Sequence, residues 1–235
     1  MAAYAISDIH CEYDKFNEVL KKISFKETNT LYVLEDVLDR GPHPIKTLLQ
    51  IMDMPNAICI WGNHELMASK CLEVMTKDVV NMPLEKLIGK MIEDIITWQY
   101  NGASTTITEF RSLDVETQKG VINYIKNMHR YEQVKVGKRE YLLVHAGLGN
   151  YSRDKKPENY LMEELVWTRN DYSKKYFDKV VIITGHTPTQ LITENRNPGY
   201  IFRKNNHIAI DCGASYSDGR LAAIRLEDEK EYYSN

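Results

Sequence analysis

The segment Tyr4-Ala5-Ile6-Ser7-Asp8-Ile9-His10 joins a short apolar run to an aspartate and a histidine two positions apart. The run is too short for a helix and is typical of a buried strand. Because alternate residues of an extended strand point to the same side, Asp8 and His10 can reach a common ligand. The sequence therefore places a metal-capable pair directly after its first strand.

A strand-like run followed by a polar motif recurs along the chain. The further runs are Leu31 to Leu34, Ala57 to Ile60, Tyr141 to Val144, Val180 to Thr184 and Ile208 to Ile210. The further motifs are Asp36 with Asp39-Arg40-Gly41, Gly62-Asn63-His64-Glu65, Val144-His145-Ala146-Gly147, Trp167-Thr168-Arg169 and Gly185-His186-Thr187-Pro188. Since most of these motifs follow a strand, we expect them to meet where the strands end.

Helical patterns separate the first three strand-like runs. They cover Tyr13 to Ile23 and Pro44 to Met52, which gives a β-α-β-α-β opening and favours parallel strands. From about residue 65 to residue 130 the pattern is helical, and we interpret this block as an insertion within a single domain of residues 1–235. It either packs on the core or covers a substrate site. Its clearest helical spacing is that of Leu84, Leu87, Ile88, Met91, Ile92 and Ile95.

Strand patterns dominate again after residue 130. Tyr131 to Val136 and Glu140 to Val144 flank a turn-sized interruption, Gly137-Lys138-Arg139, which predicts a hairpin. Two strand candidates between Asn206 and Leu226 suggest a second sheet made of hairpins. The tail Glu227 to Asn235 is polar and is expected to fray at its end. The predicted fold class is therefore α/β, with both parallel and antiparallel strands.

Composition narrows the class of protein. Hydrophobic residues make up 43% and charged residues 27%, the balance of an ordinary globular protein. The net charge of -3 argues against a general nucleic-acid binder. No run approaches the roughly 18 apolar residues of a membrane span, and the first residues lack the pattern of a signal peptide. The 4 cysteines form no CxxC pair, which predicts free thiols and a cytoplasmic location.

The motifs supply more metal ligands than one ion needs. Imidazole nitrogen and carboxylate oxygen bind divalent transition metals. The candidate ligands are Asp8, His10, Asp36, Asn63, His145 and His186. Two ions that share Asp36 would use the whole set. Because paired ions about 3.5 to 4 Å apart lower the pKa of a bridging water and clamp a phosphoryl group, the set indicates hydrolysis of a phosphate ester.

Each of these residues also has a structural explanation when it is taken alone. A single aspartate such as Asp8 or Asp36 more often caps a turn than binds a metal. A single histidine such as His145 is as often a hydrogen-bonded core residue as a ligand, and Arg169 could be a surface salt-bridge partner. Their joint order along the chain favours the functional interpretation.

The motif series resembles the calcineurin-like metallophosphoesterase superfamily and, within it, the phosphoprotein phosphatase branch. That branch carries D-x-H, G-D-x-x-D-R-G, G-N-H-E, H-A-G and G-H-T motifs, which this chain matches in order and spacing over nearly its whole length. The segments Tyr100 to Thr106, Ile210 to Gly213 and Gly219 to Leu221 also resemble small bacterial members. The resemblance implies a four-layer αββα sandwich of two mixed sheets, with the active site at the strand ends along one edge.

The resemblance also implies a division of the ligands between two ions. They would be Asp8 and His10 for the first ion, Asn63, His145 and His186 for the second, and Asp36 as the bridge. The ions are expected to be manganese, with iron or zinc as alternatives, because nitrogen and oxygen ligands suit all three.

Four further residues receive catalytic or substrate-binding roles from the same resemblance. His64 would be the general acid that protonates the leaving oxygen, and Asp39 would orient it. Arg40 and Arg169 would hold the phosphate oxygens, for which the forked, permanently charged guanidinium is suited.

The predicted function is that of a dinuclear-metal phosphatase, in which a metal-bridging hydroxide attacks a phosphate monoester in line. A serine/threonine protein phosphatase is the first expectation, with a phosphorylated protein or a small phosphate ester as substrate. Hydrolysis of a dinucleoside polyphosphate such as diadenosine tetraphosphate is the alternative. Neither a membrane nor general nucleic-acid binding is expected.

Two positions depart from the family pattern. Glycine usually precedes the bridging aspartate and follows the D-x-H histidine, whereas this chain has Glu35 and Cys11. Strand alternation predicts that Glu35 lies on the face opposite Asp36 and turns outward. Cys11 is expected to be a small buried thiol. If Glu35 instead turned toward the ions, it would impair turnover and leave a metal- or phosphate-binding module, which is a different class of protein.

Overall fold

Two five-stranded sheets form the centre of the computed structural model, which describes residues 2–76 and 84–235. The strands are β1 (Ala3–Ser7), β2 (Thr30–Leu34), β3 (Ala57–Cys59), β4 (Glu132–Val136), β5 (Arg139–Leu143), β6 (Val180–Thr184), β7 (Phe202–Lys204), β8 (His207–Ala209), β9 (Ala222–Arg225) and β10 (Glu231–Tyr233). The helices are α1 (Tyr13–Lys22), α2 (Pro44–Met52), α3 (Asn63–Thr76), α4 (Leu84–Tyr100), α5 (Ser104–Arg111), α6 (Val115–Lys126) and α7 (Met162–Val166).

Both sheets are mixed, as the sequence predicts. The first has the order β10-β9-β1-β2-β3, in which β1, β2 and β3 are parallel and β9 and β10 are antiparallel to their neighbours. The second has the order β4-β5-β6-β8-β7, in which β5, β6 and β8 are parallel. In it β4 and β7 are antiparallel edge strands. The carboxyl ends of the parallel strands are therefore available to build a common site.

Apolar alternation along the strands divides the core into two regions. In β2, Tyr32 and Leu34 belong to a cluster that joins the two sheets, together with Leu143 and Ile183 of the second sheet. The alternate residues of the strands belong to a larger cluster that includes the helices. Each fully buried aliphatic or aromatic side chain contributes about 1.5 to 3 kcal/mol to stability. Burial on both faces explains why these strands are almost entirely apolar.

Helices cover the outer faces of the sheets to different extents. On the first sheet, α1 and α2 contribute buried apolar residues such as Phe16, Val19 and Leu48. On the second sheet, the short helix α7 buries Leu165 and Val166 against the same cluster. The two sheets and their flanking helices thus form the predicted sandwich. None of the helices in the described residues has the length and apolar content that crossing a membrane requires.

The later strands differ in part from the prediction. The hairpin of β4 and β5 is confirmed, although Arg139 begins β5 and the turn is Gly137-Lys138, with Gly137 at φ 60°. The two later hairpins do not form a sheet of their own, because β7 and β8 extend the second sheet while β9 and β10 extend the first. The expectation of a frayed tail is wrong for β10, where Tyr232 packs edge-on against Tyr4.

The helical block predicted between residues 65 and 130 is present as α3 to α6. Helix α4 confirms that this segment is helical, and the side chains of Leu84, Leu87 and Ile88 lie outside the described residues. Ile92 on this helix is 45% exposed, whereas Trp98 near its end is fully buried. The end of α4 and the start of α5 therefore pack inward, toward the loops that follow β1 and β2.

Candidate metal centre

The predicted ligands lie at one edge of the sandwich, where the parallel strands end. Asp8 follows β1, Asp36 follows β2, His145 follows β5 and His186 follows β6. Asn63 is the first residue of α3 and lies four residues after Cys59, the last residue of β3. Parallel pairing within each sheet places these strand ends side by side. The motifs therefore lie together at the ends of the strands, as the sequence predicts.

Asp36 occupies the middle of the cluster. Its Oδ2 atom lies 3.4 Å from His145 Nε2, 3.9 Å from His64 Nε2 and 4.0 Å from His10 Nε2. Two sets of side chains in the described residues could each hold a cation, one formed by His10, Asp36 and His64 and the other by Asp36, His145 and His186. Asp36 is therefore common to the two candidate cation sites, and its carboxylate would be shared if both were occupied.

Asn63 completes the second of these sets. Its Oδ1 atom lies 3.0 Å from His145 Nε2 and 2.9 Å from His186 Nδ1. An amide oxygen and two imidazole nitrogens therefore converge within hydrogen-bonding distance of each other. This mixture of oxygen and nitrogen donors suits divalent transition metals.

Backbone carbonyls fix the orientation of two of the imidazoles. His10 Nδ1 lies 3.1 Å from the Leu38 carbonyl oxygen, and His145 Nδ1 lies 2.9 Å from that of Leu34. When Nδ1–H donates to a carbonyl, the lone pair of Nε2 faces the opposite way, here toward Asp36. The residues present therefore fit a metal centre in their donor atoms and in their orientation.

Asp8 is held against the backbone of the last motif. Its Oδ2 accepts the His186 N–H at 2.9 Å. A Cβ atom at Gly185 would lie 2.0 Å from this same oxygen, so the glycine is required by close approach. Burial raises the pKa of the Asp8 carboxyl, and the nearby Asp211 carboxyl raises it further. A cation between these groups would relieve their repulsion.

The charged side chains of the cluster favour the binding of a cation. Burial opposes protonation of His145, but the Asp36 and Asp8 carboxylates outweigh it and raise its pKa to about 10. Burial likewise opposes ionisation of Asp36, but His145 and His64 outweigh it and lower its pKa well below its ordinary value. A divalent cation would replace the protons that these imidazoles otherwise attract.

Left-handed backbone conformations mark the same loops. Asp8, His10, Asp36 and His186 have φ values of 51°, 45°, 58° and 63°. Such values are uncommon for residues other than glycine. They cluster at functional sites, where contacts with the surrounding structure hold the strained backbone in place. Here the sharp turns let each side chain reach the centre directly from the end of its strand.

A buried histidine and aspartate lie beside the cluster. His64 Nδ1 is 2.6 Å from Asp39 Oδ2. Burial opposes protonation of His64, but the Asp36 and Asp39 carboxylates outweigh it and raise its pKa. The imidazole is therefore held in one orientation by Asp39, with Nε2 facing the centre and a raised tendency to carry a proton.

Asp39 is itself held by two residues to which the sequence analysis gave no role. Trp98 Nε1–H donates to Asp39 Oδ2 at 2.7 Å, and the Thr106 hydroxyl donates to Oδ1 at 2.5 Å. The Asp39 N–H donates back to Thr106 Oγ1 at 3.1 Å. The segment Tyr100 to Thr106 was recognisable as a family motif, but its spacing alone did not show which side chain it would contact.

Glu65 is a second residue whose role the sequence did not reveal. Its Oε2 accepts the Asp36 N–H at 2.9 Å, and its Oε1 accepts the Val37 and Leu38 N–H groups, each at 3.1 Å. Burial and the Asp36 carboxylate raise the pKa of Glu65 to about 7. The last residue of the G-N-H-E motif thus fixes the loop that presents Asp36.

The two predicted phosphate-binding arginines lie at the mouth of the cluster, and both are exposed. Arg40 Nη1 lies 3.0 Å from His10 Nε2, and Nη2 lies 3.1 Å from His64 Nε2. Arg169 Nη1 lies 3.4 Å from the hydroxyl oxygen of Thr187, the residue after His186. Guanidinium donors therefore face the centre from two sides.

Glu35 lies on the face of the sheet opposite Asp36, as strand alternation predicts, and this face is buried. Alternation does take Glu35 away from the ligand cluster, but helices α3 and α6 cover that face of the sheet, and the residue is fully buried beside Cys59 and Glu65. Neither of its carboxyl oxygens has a hydrogen-bond partner within residues 2–76 and 84–235. Burial raises the pKa of Glu35 well above its ordinary value, and Glu65 raises it further. Burial and the neighbouring Glu65 carboxyl therefore favour the neutral form of Glu35.

Cys11 is the small buried thiol that the sequence predicts. Its Sγ–H donates to the Asp39 carbonyl at 3.0 Å, and burial raises the pKa of the thiol. Its backbone is left-handed, at φ 65°, which costs a residue other than glycine about 1 to 2 kcal/mol. All the cysteines are free and buried.

Comparison with protein families agrees with this geometry. The chain matches the model described as Calcineurin-like phosphoesterase over residues 1–216. It therefore belongs to this family of metal-dependent enzymes and is a hydrolase of phosphate esters.

Individual relatives are similar over different lengths. The chain is 26% identical to the asymmetrical bis(5'-nucleosyl)-tetraphosphatase PrpE of Oceanobacillus iheyensis, over 97% of this chain and 90% of the relative. It is 33% identical to the symmetrical bis(5'-nucleosyl)-tetraphosphatase of Nitrosococcus oceani, over only 42% of this chain and 36% of the relative. A crystal structure of a candidate diadenosine tetraphosphatase superposes with a TM-score of 0.67 at 16% identity, over 99% of this chain and 92% of the other.

Proposed function

We propose that the protein hydrolyses dinucleoside tetraphosphates, such as diadenosine tetraphosphate, at a centre of two divalent metal ions. The observation that carries the proposal is the position of Asp36 between two metal-capable sets, with His64 and Asp39 beside them. Two relatives that are similar over nearly the whole of this chain are asymmetrical bis(5'-nucleosyl)-tetraphosphatases. This reverses the order of the sequence-based expectations, in which a serine/threonine protein phosphatase came first.

The proposed ligands follow the sequence prediction. They are Asp8, His10 and Asp36 for one ion, and Asp36, Asn63, His145 and His186 for the other. His64 also lies close enough to bind the first ion, but its Nδ1 is engaged by Asp39 and its Nε2 lies 3.1 Å from Arg40 Nη2. We therefore assign His64 to proton transfer. The bound ions would neutralise phosphate oxygens and lower the pKa of water.

The protein side chains would do the remaining work. Arg40 and Arg169 would bind the non-bridging oxygens of the phosphate under attack, which would draw Arg40 away from His64. His64 Nε2–H would then protonate the leaving oxygen, with Asp39 holding the ring in place. One water is consumed: its oxygen bonds to phosphorus while the bond from that phosphorus to a bridging oxygen breaks.

The full-length similarity supports the asymmetrical cut. The relative from Oceanobacillus iheyensis is an asymmetrical enzyme and matches 97% of this chain, whereas the symmetrical enzymes match smaller parts of it, 42% for that of Nitrosococcus oceani and 63% for that of Dechloromonas aromatica. Asymmetrical hydrolysis of diadenosine tetraphosphate gives AMP and ATP, and the symmetrical cut gives two molecules of ADP. The products therefore distinguish the two reactions.

The test is a comparison of substrates with metal-reconstituted protein. The protein is treated with EDTA, reloaded with manganese, iron or zinc, and assayed on diadenosine tetraphosphate and on a phosphoserine peptide, with products resolved by anion exchange. We expect a higher kcat/KM for the dinucleotide, no activity after EDTA, and none in Asp36→Asn. Faster hydrolysis of the peptide would overturn the substrate assignment. A metal-loaded protein inactive on both substrates would instead be a binding module.

A further inference from the structure

A groove of about 630 Å³ opens beside Arg169. Its remaining lining residues are Asn170, Asp171, Tyr172, Thr187, Leu191, Ile192, Thr193 and Glu194. The volume lies within the range of about 300 to 1,000 Å³ that small-molecule sites occupy. None of the lining residues besides Arg169 has a role in the reaction proposed above.

The groove is continuous with the metal centre. Thr187 directly follows His186, whose N–H donates to Asp8. Arg169 Nη1 lies 3.4 Å from Thr187 Oγ1, so the guanidinium stands between the groove and the ligand cluster. A phosphate held by Arg169 at the centre would therefore have its substituent at the head of the groove.

The walls of the groove suit an uncharged group. Leu191 is 60% exposed, and Ile192 and Tyr172 are buried beneath the surface. The two acidic residues are already paired, Asp171 with Lys174 at 2.9 Å and Glu194 with Lys204 at 2.9 Å. Arg169 has no carboxylate partner among the described residues and remains available for an anion.

A nucleoside matches this combination of features. A base has a flat apolar face and a polar edge, which apolar, hydroxyl and amide walls can bind, and its 5'-phosphate would lie on the free arginine. A phosphopeptide would bring charged side chains and an extended backbone. The groove offers few unpaired charges that could bind them. The shape and chemistry therefore favour a nucleoside over a peptide as the occupant.

We propose that this groove binds one nucleoside of the substrate and places the phosphate directly attached to it at the metal centre. The inference rests on the proposed dinucleoside tetraphosphatase activity and specifies how the substrate lies. Water would attack the α-phosphorus, the bond from that phosphorus to the α,β-bridging oxygen would break, and this oxygen would leave on the triphosphate with a proton from His64. The water oxygen ends on the nucleoside monophosphate.

The kinetic test uses substitutions of the groove with a matched surface control. Thr193→Trp fills the groove and Leu191→Ser removes its exposed apolar wall. Leu161→Ser is the control, because Leu161 is 66% exposed and does not line the groove. We expect the ratio of kcat/KM for diadenosine tetraphosphate to kcat/KM for p-nitrophenyl phosphate to fall roughly tenfold in both groove variants and to stay unchanged in the control. An unchanged ratio in the groove variants would overturn the proposal.

Binding and product analysis separate this proposal from the proposed function. AMP binding to the metal-loaded protein, measured by calorimetry, should weaken roughly tenfold in Thr193→Trp and not in Leu161→Ser. AMP affinity that is equal in wild type and Thr193→Trp would overturn the groove even if the dinucleotide is hydrolysed. ADP as the main product would also overturn it, because the diphosphate would then lie at the centre. If the dinucleotide is not hydrolysed but AMP binding is lost in Thr193→Trp, the activity fails and the nucleoside groove stands.

Discussion

Trp98 Nε1–H donates to Asp39 Oδ2 at 2.7 Å, and both residues are fully buried. This bond links helix α4 to the carboxylate that holds His64. The sequence suggested that the helical block either packs on the core or covers a substrate site. In the structure, the end of α4 and the start of α5 contact the site directly. Trp98 donates a hydrogen bond to one carboxylate oxygen of Asp39, and Thr106 donates to the other.

Replacement of Trp98 by phenylalanine should impair proton transfer more than substrate binding. Trp98→Phe removes one donor to Asp39 while keeping an aromatic ring, and we expect kcat to fall about tenfold with little change in KM. If His64 is the general acid, the loss should be larger on phenyl phosphate than on p-nitrophenyl phosphate, because poor leaving groups need the proton more. Tyr100→Phe, on the same helix at 93% exposure, is the control. Equal losses on the two esters would contradict a role in proton transfer.

Removal of the negative charge at Asp39 should shift the pH dependence of kcat. The Asp36 and Asp39 carboxylates raise the pKa of His64 against the effect of burial. In Asp39→Asn the pKa of His64 should fall, so the protonated acid is lost at lower pH and the descending alkaline limb moves toward acid. Asp114→Asn is the control, since Asp114 is an exposed cap of α6 and asparagine can also cap. If the alkaline limb does not move, its pKa belongs to a group other than His64.

A methyl group at Gly185 should disrupt the metal centre. The added Cβ of Gly185→Ala would lie 2.0 Å from Asp8 Oδ2, and neither the buried carboxylate nor the strand end can yield easily. We expect metal affinity and activity to fall about 10- to 100-fold or more, measured as metal content after dialysis and as kcat. Gly120→Ala in α6 meets no atom within 4 Å and should raise stability by about 0.5 to 1 kcal/mol. Full metal content in Gly185→Ala would argue against Asp8 as a ligand.

The buried carboxyl of Glu35 should make stability depend on pH. Burial raises its pKa well above the ordinary value of 4.5, so the folded protein keeps a proton that the unfolded chain loses above about that pH. The stability contributed by the neutral carboxyl is present below this pH and is lost as pH rises toward the folded-state pKa. Glu35→Gln cannot ionise, so its free energy of unfolding relative to wild type should be higher at pH 8 than at pH 5 in urea titrations. A difference that is constant with pH would mean that Glu35 is ionised in the folded protein.

Glycine at the same position tests whether Glu35 impairs the enzyme. Since the Glu35 carboxyl lies beside Cys59 and Glu65 and not among the ligands, Glu35→Gly should not increase turnover. It should instead lower stability by about 1 to 3 kcal/mol, because it leaves a cavity under α3 and α6. A rise in kcat of about two orders of magnitude would support the interpretation as an impaired binding module.

Local pattern determined much of the fold and of the candidate site. Short apolar runs predicted strands such as β1 and β6 because burial on both faces needs apolar residues throughout. The positions of Asp8, His145 and His186 followed, because the carboxyl ends of parallel strands meet at one edge. The sequence did not assign the later hairpins to their sheets, since β8 and β9 are adjacent in the chain but lie in different sheets.

The contacts that hold the site in place came only from the tertiary structure. Trp98 and Asp39 are 59 residues apart in sequence, and Glu65 reaches the loop after β2 from the start of α3. Glu35 lies on the face that alternation predicts, but the packing of helices decided that this face is buried. The sequence by itself thus determined which groups are candidate metal ligands, through short-range periodicity and motif spacing, and its family resemblance implied the candidate phosphate-binding arginines. The tertiary structure decided which other groups orient them, because such hydrogen bonds depend on how distant elements pack.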